Sequence, residues 1–350
     1  MSEGKMRFGC LVKKGVAEVR ERDLPEIGEY DVLLKMKACN ICTTDYGQWL
    51  GLREHQGYPM AGGHEAAGIV QKVGSKVADF KIGDLVATGY EGCGNCSACR
   101  NGQVDQCADI RKDTEDGYRW GFFGFSDYCV KSVRGIYKIA ASVNPAEAGF
   151  LEPLATVLHG AKKLRLKPFD TVVVIGAGTM GLINAQVAKA YGCRVIVSEM
   201  IPKKLETAWA MGFEVIDCNQ ADPVEEVKRL TEGKGTDAVI AAVGVTAAND
   251  QGLKMIKEKD GKLLLFAAGY PAPELHIDSN EMHYRRMELI GTFGADNEDF
   301  QEAARALSTG VVDVSKLIEE KTFKLDQIQE AFEEASRPGM YRVCVLLDQQ

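Results

Sequence analysis

Four stretches in the second half of the chain are nearly continuous apolar runs. They are T-V-V-V-I (171–175), C-R-V-I-V-S (193–198), A-V-I-A-A-V (238–243) and K-L-L-L-F-A-A (262–268). Strands covered on both faces read this way, because neither face meets water. Helix candidates lie between them, from Met180 to Tyr191 and from Pro202 to Met211. Strand and helix in alternation predict an α/β unit with a parallel, doubly wound sheet. Residues 1 to about 150 follow a different pattern. Short β-type runs, V-L-L-K-M-K-A, A-G-I-V-Q-K-V-G and D-L-V-A-T, are broken by Gly and Pro, which predicts a compact β-rich domain. After M-E-L-I-G-T (287–292) come more helix and short strands, ending in M-Y-R-V-C-V-L-L. Periodicity leaves open whether this tail extends the parallel sheet or returns to the first domain.

A chain of 350 residues, 45% apolar, has material for roughly two domains with real cores. The net charge is −8 and no Lys/Arg-rich run occurs, which argues against nucleic acid or an anionic membrane surface as partner. The start, M-S-E-G-K-M-R-F-G-C, lacks the apolar core of a signal peptide. No apolar stretch reaches the roughly 18 residues of a membrane span. The expected setting is cytoplasmic, with the eleven cysteines reduced.

Four of those cysteines, Cys93, Cys96, Cys99 and Cys107, lie in E-G-C-G-N-C-S-A-C-R-N-G-Q-V-D-Q-C. Short Cys-x-x-Cys steps let neighbouring thiolates converge on one ion. Four thiolates complete a tetrahedral zinc shell with no open position, so the site is expected to hold a loop in shape and do no chemistry.

Gly176, Gly178 and Gly181 form G-A-G-T-M-G directly after an apolar run and at the start of a predicted helix, with Thr179 and Met180 between the last two glycines. The first glycine permits a tight turn, the second lets a pyrophosphate approach the backbone, and the third brings helix against strand. The phosphates then face the N–H groups of the helix N-terminus. Glu199 lies about 20 residues on, at the end of the next strand, where a carboxylate can bond both ribose hydroxyls and repel a 2′-phosphate. This predicts NAD over NADP. Lys203 and Lys204 follow, and a lysine there tolerates a phosphate, so the strictness of that preference stays open.

Taken alone, Cys42 in A-C-N-I-C-T-T-D and His64-Glu65 in P-M-A-G-G-H-E-A-A-G-I-V say little. Their order says more. I-C-T-T-D, then G-H-E-A-A-G-I-V-Q-K-V-G-S-K-V-A-D-F-K-I-G-D-L-V, then the cysteine comb, G-F-S-D-Y, E-P-L-A-T-V-L-H-G and the glycine fingerprint follow one another over nearly the whole chain. In this the chain resembles the zinc-dependent medium-chain dehydrogenase/reductase (alcohol dehydrogenase) family, most closely its sorbitol dehydrogenase-like branch. The resemblance implies a GroES-like catalytic domain over residues 1–153, a Rossmann NAD-binding domain over 154–293, and a segment, 294–350, that returns to the first domain. It implies two zinc ions per chain, the second bound by Cys42, His64 and a carboxylate from Glu65 or Glu152, with an open position for substrate. Thr44 matches the hydroxyl that relays the alcohol proton, and Asp45 a carboxylate that orients the histidine. Trp49 matches an aromatic near the substrate. His159 reads as a packing residue, and His55, His276 and His283 have no partner motif.

The implied activity is reversible oxidation of a secondary alcohol to a ketone, with hydride transfer to NAD, on a small-molecule substrate held in the cleft between the domains. A homodimer or homotetramer is expected by analogy alone. Gly47 and Gly294 depart from sorbitol dehydrogenase, where a histidine and a polyol-gripping arginine stand. A bulkier alcohol such as a hydroxysteroid is therefore an alternative to a polyol, and L-threonine is another, because dehydrogenases of that amino alcohol within the family share the E-P-L region. A non-catalytic dinucleotide-binding relative is the alternative outside enzymology, and the retained Cys42, His64, Glu65, Glu152 and Thr44 argue against it.

Overall fold

The computed structural model describes residues 4–111 and 113–347. The chain forms two compact units. One holds residues up to Ala155 together with those from Ala295 onward, and the other runs from Thr156 to Gly294.

The first unit is built on a seven-stranded sheet. Its centre is the eleven-residue strand Asp31–Ile41, whose even positions Val32, Leu34, Met36 and Ala38 are all buried. That period-2 burial is the signature of a strand with one face on a core. The core gathers Phe8, Leu34, Met36, Met60, Phe125 and Phe332. Strand Glu65–Val73 pairs antiparallel with Asp31–Ile41 on one side. Strand Val343–Leu346, from the C-terminal segment, pairs antiparallel with it on the other. The tail thus completes the first unit's sheet.

Register gives this arrangement its consequence. Asn40 lies opposite Glu65, and Ile41 opposite Val343. The residues that follow or precede these positions, Cys42, His64 and Arg342, therefore emerge at one end of three adjacent strands.

The second unit is a six-stranded parallel sheet. Its order is Glu214–Asp217, Arg194–Glu199, Thr171–Ile175, Ala238–Ala241, Lys262–Leu265, Glu288–Gly291. In chain order within the unit this is 3-2-1-4-5-6, the doubly wound arrangement whose switch point lies beside the first strand. Val173, Ile196, Val239 and Leu263 are buried along the sheet, as the unbroken apolar runs predict. The predicted helix limits differ by one residue from those observed, Thr179–Ala190 and Pro202–Ala210. Among the described residues, no helix is long and apolar enough to cross a membrane.

Candidate metal centre and dinucleotide cradle

Cys42 caps the short helix Thr43–Trp49, and Asp45 sits at that helix's third position. The Asp45 carboxylate accepts from Cys42 N at 3.1 Å and from Gly63 N at 3.3 Å. It thereby ties the cysteine turn to the segment that carries His64. Its other neighbour is His64 itself, with Nδ1 3.7 Å from Oδ2. That Nδ1 is buried and makes no hydrogen bond among the described residues. Burial raises the Asp45 carboxyl, while His64 and the two backbone donors oppose that rise. The sequence expectation that Asp45 orients the histidine therefore has a close but not yet hydrogen-bonded pair beneath it.

One ligand atom each from Cys42, His64 and Glu65 lies within 4.8 Å of the others. Sulfur, imidazole and carboxylate are the donor set zinc accepts, and three protein donors leave a position open. The residues fit the ion. Glu152 enters from the first turn of helix Leu151–Leu164 and is nine-tenths buried. Burial raises its proton affinity, and the nearby His64 charge opposes the effect. One of its oxygens accepts from the Tyr90 hydroxyl at 2.7 Å. Tyr90 is itself packed edge-on against Phe300, 5.1 Å between centroids.

Arg342 was not legible as a site residue. Its guanidinium forks onto both oxygens of Glu65 at 2.7 Å each, and Nη2 lies 3.5 Å from Cys42 Sγ. Both side chains are buried, at 6% and 0% exposure. The available signal was a lone arginine inside an apolar strand run, in Y-R-V-C-V-L-L. An unpaired arginine does not stay buried, so such a residue asks for a carboxylate. Phe122 was missed for a different reason. It approaches the His64 ring, 5.9 Å between centroids, on a turn whose neighbours Trp120 and Phe123 both have positive φ. No spacing rule announces such a turn.

Thr44 is half-buried on the first turn of the Thr43–Trp49 helix. Trp49 stacks on Phe332, 6.4 Å apart, with its indole nitrogen buried, so it is part of the core. Gly47 faces the side chain of Arg53, at 3.4 Å from the position of an added Cβ. Gly294 has φ +71°, a conformation in which an arginine would be strained. His276 is exposed between Asp250 and Glu274, with ring nitrogens 3.0 and 3.1 Å from their oxygens.

The comb cysteines also converge, with all four sulfurs within 4.8 Å of one another. Backbone N–H groups of Asn95 and Cys96 point at Cys93 Sγ, at 3.4 and 3.3 Å. These donors pull the Cys93 thiol down to about 6. Donors aimed at Cys93 favour its thiolate, the form that binds metal, while burial pushes the Cys99 thiol up to about 12. The four-sulfur set fits a closed zinc site.

In the second unit the glycine turn follows strand Thr171–Ile175. Gly176 has φ +98°. A Cβ on Gly181 would stand 1.9 Å from Gly176 O, so the third glycine lets helix Thr179–Ala190 pack on the turn. A Cβ on Gly178 would meet only Lys204 Nζ, at 3.7 Å, which leaves the open approach a phosphate needs beside a cation. Met180, partly exposed, and Thr179, buried, start the helix. Glu199 ends strand Arg194–Glu199. Its carboxylate accepts from Ala177 N, Met200 N and Ile201 N at 2.7–2.9 Å. Two carboxylate oxygens offer about four acceptor sites. Glu199 thus braces the glycine turn and keeps capacity for another donor.

Comparison with known proteins identifies the family of both units. Residues 28–141 match the family model "alcohol dehydrogenase GroES-like domain", and residues 179–309 match "zinc-binding dehydrogenase". Sorbitol dehydrogenase of Bacillus subtilis (strain 168) is 30% identical over 323 residues, 89% of this chain and 88% of that protein. L-threonine 3-dehydrogenase of Pyrococcus horikoshii is 33% identical over 334 residues, 91% of each. A zinc-binding dehydrogenase of Sinorhizobium meliloti 1021, solved with NADP, superposes with TM-score 0.87 at 27% identity, covering 98% of this chain and all of that one. The parallel-sheet unit is accordingly a Rossmann fold, and the first unit GroES-like.

Proposed function

The chain belongs to the zinc-dependent medium-chain alcohol dehydrogenases, sorbitol dehydrogenase-like branch, enzymes that oxidise secondary alcohols; from that premise we propose which residues do the work and on what substrate. The observation that carries the assignment is the convergence of Cys42, His64 and a carboxylate at one end of three strands.

Zinc, when bound, supplies Lewis acidity, and the dinucleotide supplies a hydride acceptor. Cys42 and His64 are the ligands common to every state of the site. Glu65 and Glu152 are the two candidate third ligands. Asp45 holds the cysteine turn against the histidine segment and sets the imidazole's orientation. Thr44 receives the alcohol proton and passes it on. Phe122 forms an apolar wall beside His64. The comb, Cys93, Cys96, Cys99 and Cys107, would hold the second zinc, which would fix the shape of its loop.

Gly176, Gly178, Thr179, Met180 and Gly181 present the pyrophosphate cradle, with Lys204 beside it. Glu199, with three of its about four acceptor positions taken by backbone N–H groups, accepts one ribose hydroxyl and repels a 2′-phosphate, which favours NAD over NADP. We assign a polyol as substrate, with the similarity to sorbitol dehydrogenase in support. The L-threonine relative supports an amino-alcohol substrate as a second reading. The zinc-replete enzyme is tested by NADH absorbance with polyols, L-threonine, simple secondary alcohols and hydroxysteroids, and with NADP in parallel. Fastest turnover of a polyol with NAD supports the assignment. Preference for L-threonine or a hydroxysteroid overturns the substrate, and preference for NADP overturns the role of Glu199.

A further inference from the structure

A cavity of about 570 Å³ opens in the first unit, and none of Cys42, His64, Glu65 or Glu152 lines it. Its volume lies within the roughly 300–1,000 Å³ of small-molecule sites. Phe80, Val104, Val133, Ile136 and Tyr137 supply an apolar wall. A wall of that kind with a few placed polar groups is what a small-molecule site requires.

The polar groups differ in how far they are already engaged. Lys138 Nζ lies 2.8 Å from Asp84 Oδ2 and donates to the Asp79 carbonyl at 3.0 Å, so its charge is matched. Tyr137 is buried, and among the described residues its hydroxyl makes only a long hydrogen bond, 3.4 Å, to Asn297 Oδ1. Arg134 also lines the cavity, and its guanidinium has no ion pair or hydrogen bond among the described residues. It lies over Gly94, where an added Cβ would meet Nη1 at 2.5 Å. The arginine is thus placed against the cysteine comb with its donors uncommitted. A guanidinium presents a planar fork that matches a carboxylate. Asp79, exposed like Arg134, lines the same cavity and bears an opposite charge, also without a side-chain partner among the described residues.

We propose that this cavity is a second ligand site, which takes a molecule with an apolar body and a carboxylate that docks on Arg134. Two sources share that chemistry. A simple organic acid would be held by Arg134 and repelled by Asp79. An apolar amino acid would place its carboxylate on Arg134 and its ammonium toward Asp79.

The test is isothermal titration of the zinc-loaded enzyme, saturated with NADH, using 4-phenylbutyrate and L-phenylalanine. The neutral 4-phenylbutanamide serves as control. At least one acid should bind saturably, and the amide about tenfold more weakly or worse. Arg134→Ala should weaken the acid about tenfold or more, and Arg134→Lys should restore part of the loss. Val133→Trp, which fills the cavity, should abolish binding while zinc content and turnover persist. Asp79→Asn should tighten 4-phenylbutyrate or weaken L-phenylalanine, and so distinguish the two sources. The proposal is overturned if neither acid binds below about 10 mM. It is equally overturned if the amide binds as well, if Arg134→Ala changes nothing, or if binding is lost in Cys42→Ala and kept in Arg134→Ala. The last pattern would place the acid at the metal centre.

Discussion

Replacing Arg342 with Met tests the reading of the metal centre most directly. The wild-type pair has two hydrogen bonds of 2.7 Å between side chains that are 6% and 0% exposed. A hydrogen bond to a charged group is worth about 1.5–3 kcal/mol, so two give roughly 3–6. Removing one partner of a buried ion pair costs about 3–5 kcal/mol, because the other charge is left unmatched. The two routes agree on about 4 kcal/mol. Surface screening does not discount it, since neither group meets water. Met keeps the aliphatic packing, so little of the cost is a cavity. The assay is urea unfolding followed by tryptophan emission in a Trp209→Phe background, in which Trp49 and Trp120 of the first unit remain to report. Glu65→Gln and the double variant complete a mutant cycle, with a coupling of at least about 2 kcal/mol expected. A single variant within about 1 kcal/mol of the parent, or a coupling near zero, would refute the claim that this pair holds three strand ends together.

Gly181→Ala should abolish dinucleotide binding, measured by NADH fluorescence, because the added carbon meets a backbone oxygen at 1.9 Å and no rotamer relieves it. Retained affinity would mean that the helix shifts freely. Cys99→Ser should remove one zinc per chain by metal analysis and lower the melting temperature by about 5 °C or more, while residual turnover per folded molecule survives. The His276 imidazolium is held above its ordinary range, first by the hydrogen bond to Asp250 and then by its charge. A raised pKa means that the clamp is complete below about pH 6.5 and fades as pH rises through the higher folded value. Protection of the amides in helix Thr246–Met255, after correction for base-catalysed intrinsic exchange, should therefore fall across that window, and His276→Gln should remove that fall.

The two units differ in how much of them the sequence displayed. Parallel strands buried on both faces cannot be written without long apolar runs, and 171–175 and 262–265 announce themselves for that reason. The glycine turn is legible because its steric demands leave no other residue: Gly181 faces a carbonyl at 1.9 Å. The comb is legible because its four donors lie within fifteen residues of chain. Periodicity alone left the tail ambiguous because Val343–Leu346 is apolar in either sheet; the family resemblance implied its return to the first domain, and the pairing with Asp31–Ile41 is that return. Arg342 and Tyr90 were hidden because their partners lie far away in sequence, 277 and 62 residues from them. Glu199 carried a further role that its position did not reveal, the bracing of Ala177 N in the turn itself.

Glu65 and Glu152 offer zinc the same donor atom, so their neighbours must tell them apart. Proximity favours Glu65, which shares the 4.8 Å cluster with Cys42 and His64. Hydrogen bonding favours Glu152. Both Glu65 oxygens lie in the fork of Arg342, so an ion competes with a guanidinium for them. Among the described residues, Glu152 is held at one oxygen only, by the Tyr90 hydroxyl, and the other carries no hydrogen bond. Hydrogen bonding is the stronger guide, because breaking a charge-assisted fork costs several kcal/mol while swinging a side chain costs about one. Glu152→Gln should therefore weaken catalytic zinc about tenfold or more, and Glu65→Gln should weaken it less. Tyr90→Phe gives the control: it frees the second Glu152 oxygen and leaves the Arg342 fork intact. If Glu65→Gln strips the ion and Glu152→Gln keeps it, proximity was the better guide, and Arg342 then shares its carboxylate with the metal.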